Sequence, residues 1–211
     1  KPACCKWYAV DYDGRVWVYR ELYVAGLDAD QIAEEINRMS GAQKDPMTGQ
    51  WIGGEMYHYS VSDPSIFAKT GFVDKFGGQT IAETFSRCGI MFIPGSNRRI
   101  DGWNLMHQYF RWDKDIKPKM IYFSTCIDSI RTIPNLIHDD IKPEDLDTNG
   151  EDHAADTDRY LLVSLHESKT EKPKTDTEKK LERMREMSEQ TVNPSTLNQF
   201  YLGDFYRRKM N

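Results

Sequence analysis

The stretch ACCKWYAVDYDGRVWVYRELYV, Ala3 to Val24, decides the architecture of this chain. Ala3–Val10 is apolar apart from one lysine, and Arg15–Val24 sets Val16, Val18 and Leu22 among the charged Arg15, Arg20 and Glu21. Between them lies Asp11-Tyr12-Asp13-Gly14, in which Gly14 accepts the positive φ that a tight turn demands. Two strand-like runs around such a turn predict a β-hairpin at the start of the fold.

Working outward, Asp28 with Gln31 forms a capping box for a helix carrying Ile32, Ala33, Ile36 and Met39 at helical spacing and closed by Gly41. Residues 42–54 read as a loop, rich in Gly and Pro. A strand is expected over 55–62, interior to a sheet and stopped by Pro64. Thr80 and Glu83 cap a helix over 81–88, followed by a buried strand Ile90–Ile93, a helix Asp101–Trp112 and a strand Met120–Phe123. Thr125 with Asp128 caps a further helix that stops at Pro134, and a last helix begins near Glu151. A hairpin followed by strand–helix alternation predicts an α/β fold, a mixed sheet with helices on both faces. The ribonuclease H-like fold has this order and shares its alternating half with many others.

The chain of 211 residues holds 28 Lys+Arg and 33 Asp+Glu, a net charge of −5. Residues 1–167 carry 18 basic and 26 acidic side chains, net −8, whereas 168–211 carry 10 and 7, net +3. The first part lacks the basic footprint usual in nucleic-acid binding, but an acidic cluster also suits a metal site. The division predicts one domain over 1–167. Beyond it, 168–211 reads as a linker, a short charged helix (Leu181–Met187) and an aromatic, basic C-terminal tail. No apolar run is long enough to span a bilayer, and nothing reads as a signal peptide. The four cysteines form no C-x-x-C unit and are expected as free thiols. No P-loop motif is present, so no ATP site is expected.

Three groups of residues carry chemical potential. Asp63 ends a strand, where α/β sheets place ligands, but an Asp before Pro64 also suits an N-cap over Ser65-Ile66-Phe67. In Glu151-Asp-His-Ala-Ala-Asp156, His153 and Asp156 share a helix face, while Ala154 and Ala155 allow close packing on a sheet. A carboxylate so held, opposite another on a strand, binds hard cations. The plainer reading has Glu151 and Asp152 complementing the helix dipole and His153 exposed. In Gly95-Ser-Asn-Arg-Arg-Ile-Asp-Gly-Trp103, the residues Asn97, Arg98 and Arg99 suit phosphate contacts, or form a solvated loop.

Val10–Glu21, Ser62-Asp-Pro-Ser-Ile-Phe67, Pro94–Asn104, Arg131-Thr-Ile-Pro134, Pro143–Asp156 and Arg159-Tyr160 together resemble the nuclease domain of phage terminase large subunits, in the same order, over residues 8 to about 165. The resemblance implies a ribonuclease H-like fold and an endonuclease that cuts double-stranded concatemeric viral DNA during genome packaging. It implies two bound Mg²⁺ or Mn²⁺ ions, with a nearby imidazole favouring Mn²⁺. Asp63 matches the second catalytic acid, Asp156 the acid on the last helix, and His153 the His of an Asp-His-x-x-Asp pattern. All three are thus candidate catalytic residues and metal ligands. Arg98 falls in the loop expected near DNA. The family's first acid precedes the position matching Lys1, and Asp11 and Asp13, at the far hairpin turn, do not take its place. The implied partners are double-stranded DNA, the ATPase domain of the same subunit, the small terminase subunit and, through the tail, a portal or procapsid, all in the host cytoplasm. Two other readings stand beside it: a non-catalytic docking module whose tail engages the portal or motor, and another ribonuclease H-like nuclease such as a junction resolvase or integrase.

Overall fold

A computed structural model describes residues 2–69, 80–147 and 150–168. The expected hairpin is present: β1 (Ala3–Val10) pairs antiparallel with β2 (Val16–Val24), and Gly14 turns with φ 75°. β2 also pairs in parallel with the strand Met120–Tyr122, so these three form a mixed sheet. The helix α1 (Ala29–Met39) is capped by Asp28 and Gln31 as expected.

The β1–β2 ladder contains a bulge. Trp7 stands opposite Arg20 and Tyr8 opposite Val18, leaving Tyr19 without a counterpart. The extra residue changes which side chains of β2 share a face. Val16 and Val18 therefore enter one core cluster, with Trp103, Met106, Met120, Ala155, Leu161 and Leu162. Leu22 enters a second, with Trp7, Ala33, Ile36 and Phe85. In β1, Tyr8 packs on the first cluster, and Trp7 and Cys5 belong with the second. Helices thus cover both faces of the sheet.

Residues 42–54, expected as a loop, contain a small antiparallel ladder of β3 (Ala42–Lys44) and β4 (Trp51–Gly53). Its turn residues dominate the local composition and mask the short pairing segments. The strand expected over 55–62 is shorter, β5 (Ser60–Ser62). It is not interior: it forms a separate parallel pair with β6 (Phe92–Pro94). Pro64 turns the chain after β5 into a 3-10 segment, Pro64–Phe67, and Pro94 has no N–H to donate. The single mixed sheet expected is thus divided among the described residues, which form no closed barrel.

Helix α2 (Ile81–Arg87) carries its expected Thr80–Glu83 capping box. α3 runs over Arg99–Phe110, two residues earlier than expected, and the strand Met120–Tyr122 is β7. α4 (Ile127–Thr132) has Cys126, not Thr125, at its N-cap, without a side-chain cap bond. Instead, Glu21 of β2 accepts from the backbone N–H groups of Asp128 (2.7 Å) and Ser129 (2.9 Å). A carboxylate from the sheet thus does the work of a local cap. α5 (His153–Ser168) is the longest described helix and runs one residue past the expected boundary. The linker, charged helix and tail expected beyond it, over 169–211, lie outside the described residues. All four cysteines are free. No described helix is long and apolar enough to cross a membrane.

Candidate active site

Asp63 follows β5 and does what the plainer reading assigned to it: its Oδ1 accepts from Ser65 N at 2.7 Å, capping the 3-10 segment. It also reaches further. Tyr160 of α5 donates its hydroxyl to Asp63 Oδ2 at 2.8 Å, bridging 97 residues of sequence. Burial alone would raise the Asp63 carboxyl. The bonds from Ser65 and Tyr160, with the charge of Arg159, outweigh it and hold the group below the usual carboxylate range.

Asp156 lies in the first turn of α5, where Arg159 donates from Nε to its Oδ1 at 2.9 Å. Arg99 comes within 3.6 Å of the same oxygen. Arg159 is only 1% exposed, and its guanidinium stacks 4.2 Å from the Tyr160 ring centroid and 5.2 Å from that of Trp103. It donates also to the Ser96 carbonyl at 3.2 Å. Two consecutive residues of one helix, Arg159 and Tyr160, therefore hold Asp156 and Asp63 respectively. Each of the two carboxylates singled out in the sequence is thus bonded to a residue of α5, and the charge of Arg159 also acts on Asp63.

Glycines permit that approach. A Cβ on Gly95 would lie 2.4 Å from Tyr160 Cδ1, and one on Gly102 would lie 2.1 Å from Arg159 Cγ. Both distances are far inside van der Waals contact, so the loop and α3 can press on α5 only with hydrogen at these positions.

The remaining candidates divide. Asn97 and Arg98 are exposed, with Arg98 Nε donating to Asp101 at 2.6 Å. Arg99 turns inward to Asp145, 3.2 Å away, and to Asp156, so it is not a solvated loop charge. Asp145 accepts also from Trp103 Nε1 at 2.8 Å, which fixes its place. His153 stands 3.5 Å from Asp152 and makes no hydrogen bond to Asp63 or Asp156 among the described residues. Asp152, a helix-dipole partner in the plainer reading, is only 6% exposed. Burial, and then the charge of Asp156, push its carboxyl above the usual range. Glu151 pairs with Arg131 at the surface.

A further cluster escaped the sequence reading. Lys6 of β1 donates to Asp158 Oδ2 at 2.7 Å, Tyr8 to Oδ1 at 2.9 Å, and Tyr122 of β7 to Oδ2 at 2.7 Å. The lysine and aspartate side chains are completely buried. Burial, followed by the Asp158 charge, raises the hydroxyls of Tyr8 and Tyr122 well above the usual range, so both stay protonated donors.

In donor type the site suits a hard divalent cation: Asp63 and Asp156 are oxygen ligands, and Asp156 Oδ2 accepts no hydrogen bond among the described residues. Among the described residues, however, no group of three or more His, Cys, Asp or Glu side chains could hold a metal ion. Asp63 and Asp156 stand as candidate ligands, without a complete cation cage among the described residues. Comparison of the chain with protein-family models, with curated proteins and with solved structures gave no match.

Proposed function

We propose that this chain is the nuclease domain of a terminase large subunit, with a ribonuclease H-like fold, and that it cuts double-stranded DNA with bound Mg²⁺ or Mn²⁺. The observation that carries the reading is the tether of Asp63 and Asp156 to consecutive residues of α5. Their motifs lie 93 residues apart in sequence, and the bonding of both to one stretch of α5 supports a family in which both are catalytic acids.

In this reading Asp63 and Asp156 hold the cations, and the resemblance assigns a third acid to a segment ahead of the position of Lys1. The bound ions supply a polarised water as nucleophile and charge neutralisation at the scissile phosphate. The chain's own residues position the acids. Ser65 and Tyr160 orient both oxygens of Asp63 and keep it ionised at neutral pH. Arg159 aims Oδ1 of Asp156 and leaves Oδ2 to face a ligand. Arg98 and Asn97, exposed on the loop before α3, would contact the DNA backbone without reading bases. His153 serves by orienting a water or as an outer ligand. Nothing here requires an ATP site; the ATPase domain, small subunit and portal are the partners such a domain would have.

Crystals soaked in Mn²⁺ test the reading through an anomalous difference map. A peak contacting both Asp63 and Asp156, absent in Asp156→Ala, is the expected result. A well-ordered protein at saturating Mn²⁺ with no peak there refutes it. Cleavage that persists in folded Asp156→Ala refutes it equally.

A further inference from the structure

The Lys6–Asp158 pair is costly to bury and plays no part in the chemistry just described. Apolar residues of similar volume often replace such pairs without loss of stability, so stability alone gives no reason for the charges. What the pair adds is direction. Besides Asp158, Lys6 Nζ donates to the Ala154 carbonyl at 2.8 Å, and it lies 5.4 Å from the Tyr122 ring centroid. Ala154 is two residues before Asp156 and Asp158 two after it, so one ammonium on β1 grips α5 on both sides of the acid. Tyr8 and Tyr122 complete the Asp158 carboxylate from β1 and β7. The helix is thereby fixed against the sheet in rotation and along its axis. A slip of one residue would shift α5 by about 1.5 Å and turn it by about 100°. Asp156, Arg159 and Tyr160 would all lose their present directions.

We propose that Lys6, acting through Asp158 and the Ala154 carbonyl, is a positioning residue that sets the place of Asp156 and of the Arg159–Tyr160 tether. The inference rests on the nuclease reading above. It predicts that removing the network weakens metal binding without unfolding the protein, as loss of the groups supporting metal ligands does elsewhere.

The test is a Mn²⁺ titration of the whole chain, read by paramagnetic broadening of amide signals near Asp63 and Asp156, with thermal unfolding in parallel. The combined variant Lys6→Met, Tyr8→Phe, Tyr122→Phe and Asp158→Leu removes the network and leaves no buried polar group unpaired. Its Mn²⁺ dissociation constant should rise by about ten-fold or more while cooperative unfolding is retained. Tyr122→Phe alone keeps both bonds of Lys6 and should stay within about two-fold of wild type. Should the combined variant not fold, Lys6→Gln with Asp158→Asn makes the same comparison, because the shorter Gln withdraws its donor from Ala154. A folded network variant that binds Mn²⁺ as tightly as wild type overturns the proposal. Wild-type protein showing no broadening around Asp63 and Asp156 removes the nuclease reading itself, and this inference with it.

Discussion

Substitution of Gly102 by Ala is expected to destabilise this protein, against the general trend. In a helix interior Ala is favoured over Gly by about 1 kcal/mol. Gly102 lies in α3, but a Cβ there would meet Arg159 Cγ at 2.1 Å, Arg159 Cδ at 2.7 Å and Val163 Cγ2 at 3.3 Å. The first two contacts cannot be relieved by a small adjustment, because Arg159 is held by Asp156, by the Ser96 carbonyl and between the rings of Trp103 and Tyr160. Overpacking of a core costs about 1–3 kcal/mol. Displacement of a hydrogen bond to a charged group adds about 1.5–3 kcal/mol. Set against the helix gain, the net loss is about 1.5–5 kcal/mol, and the unfolding midpoint falls by roughly 3–20 °C for a domain of this size. Calorimetry of Gly102→Ala measures this directly. In an Arg159→Ala background the clash is gone, and the same substitution should be neutral or stabilising by up to about 1 kcal/mol. Gly102→Ala that stabilises the wild type, or that costs as much without Arg159, refutes the account of this contact.

Three further expectations follow from the geometry. Glu21→Ala leaves the Asp128 and Ser129 N–H groups of α4 unsatisfied and should cost about 1–2 kcal/mol in denaturant unfolding, whereas a typical exposed substitution costs about 0.5 kcal/mol or less. Asp152 has a raised carboxyl pKa in the fold, so its ionisation opposes folding at neutral pH. Asp152→Asn should therefore stabilise at pH 7, with the gain vanishing below the unfolded value of about 3.9; Asp63, depressed, contributes the opposite way, its stabilisation being lost as the pH falls below that value. Unfolding midpoints across pH for Asp152→Asn and Asp63→Asn separate the two signs. Arg98→Ala should leave stability within about 0.5 kcal/mol, its partner Asp101 being exposed, yet weaken DNA binding and reduce the salt slope by about one. An unchanged slope would remove Arg98 from the interface.

The parts of the fold that could be read in the sequence are those specified locally. The turn at Gly14, the Asp28–Gln31 box and the Thr80–Glu83 box each involve partners within a few residues, and each forms as expected. The small β3–β4 ladder was hidden because each strand has three residues, too few to show alternation. Glu21 could not be recognised as the cap of α4, since its partners lie 107 and 108 residues away. Asp63 and Asp156 were legible as chemistry, but their tether was not: Arg159 and Tyr160 stood in the quoted motif without a role. Lys6 and Asp158 left a faint trace. A lysine inside the apolar run Ala3–Val10, and an aspartate at i+4 from Ala154 and three before Leu161, are both charges on faces that should be dry. Nothing in a linear reading pairs them across 152 residues.

The bulge at Tyr19 has a bearing on how the chain tolerates changes of length. Because Arg20 already stands opposite Trp7 while Val18 stands opposite Tyr8, Tyr19 is surplus to the ladder, and its hydroxyl is spent on Glu55 at the surface. Deleting it would leave a regular ladder with every later residue still facing its own layer. A deletion or insertion between Arg20 and Val24 has no such slack. It would carry Glu21 away from α4 and turn Leu22 out of its cluster, so β2 should accept a missing residue at one position and resist it a few residues further on.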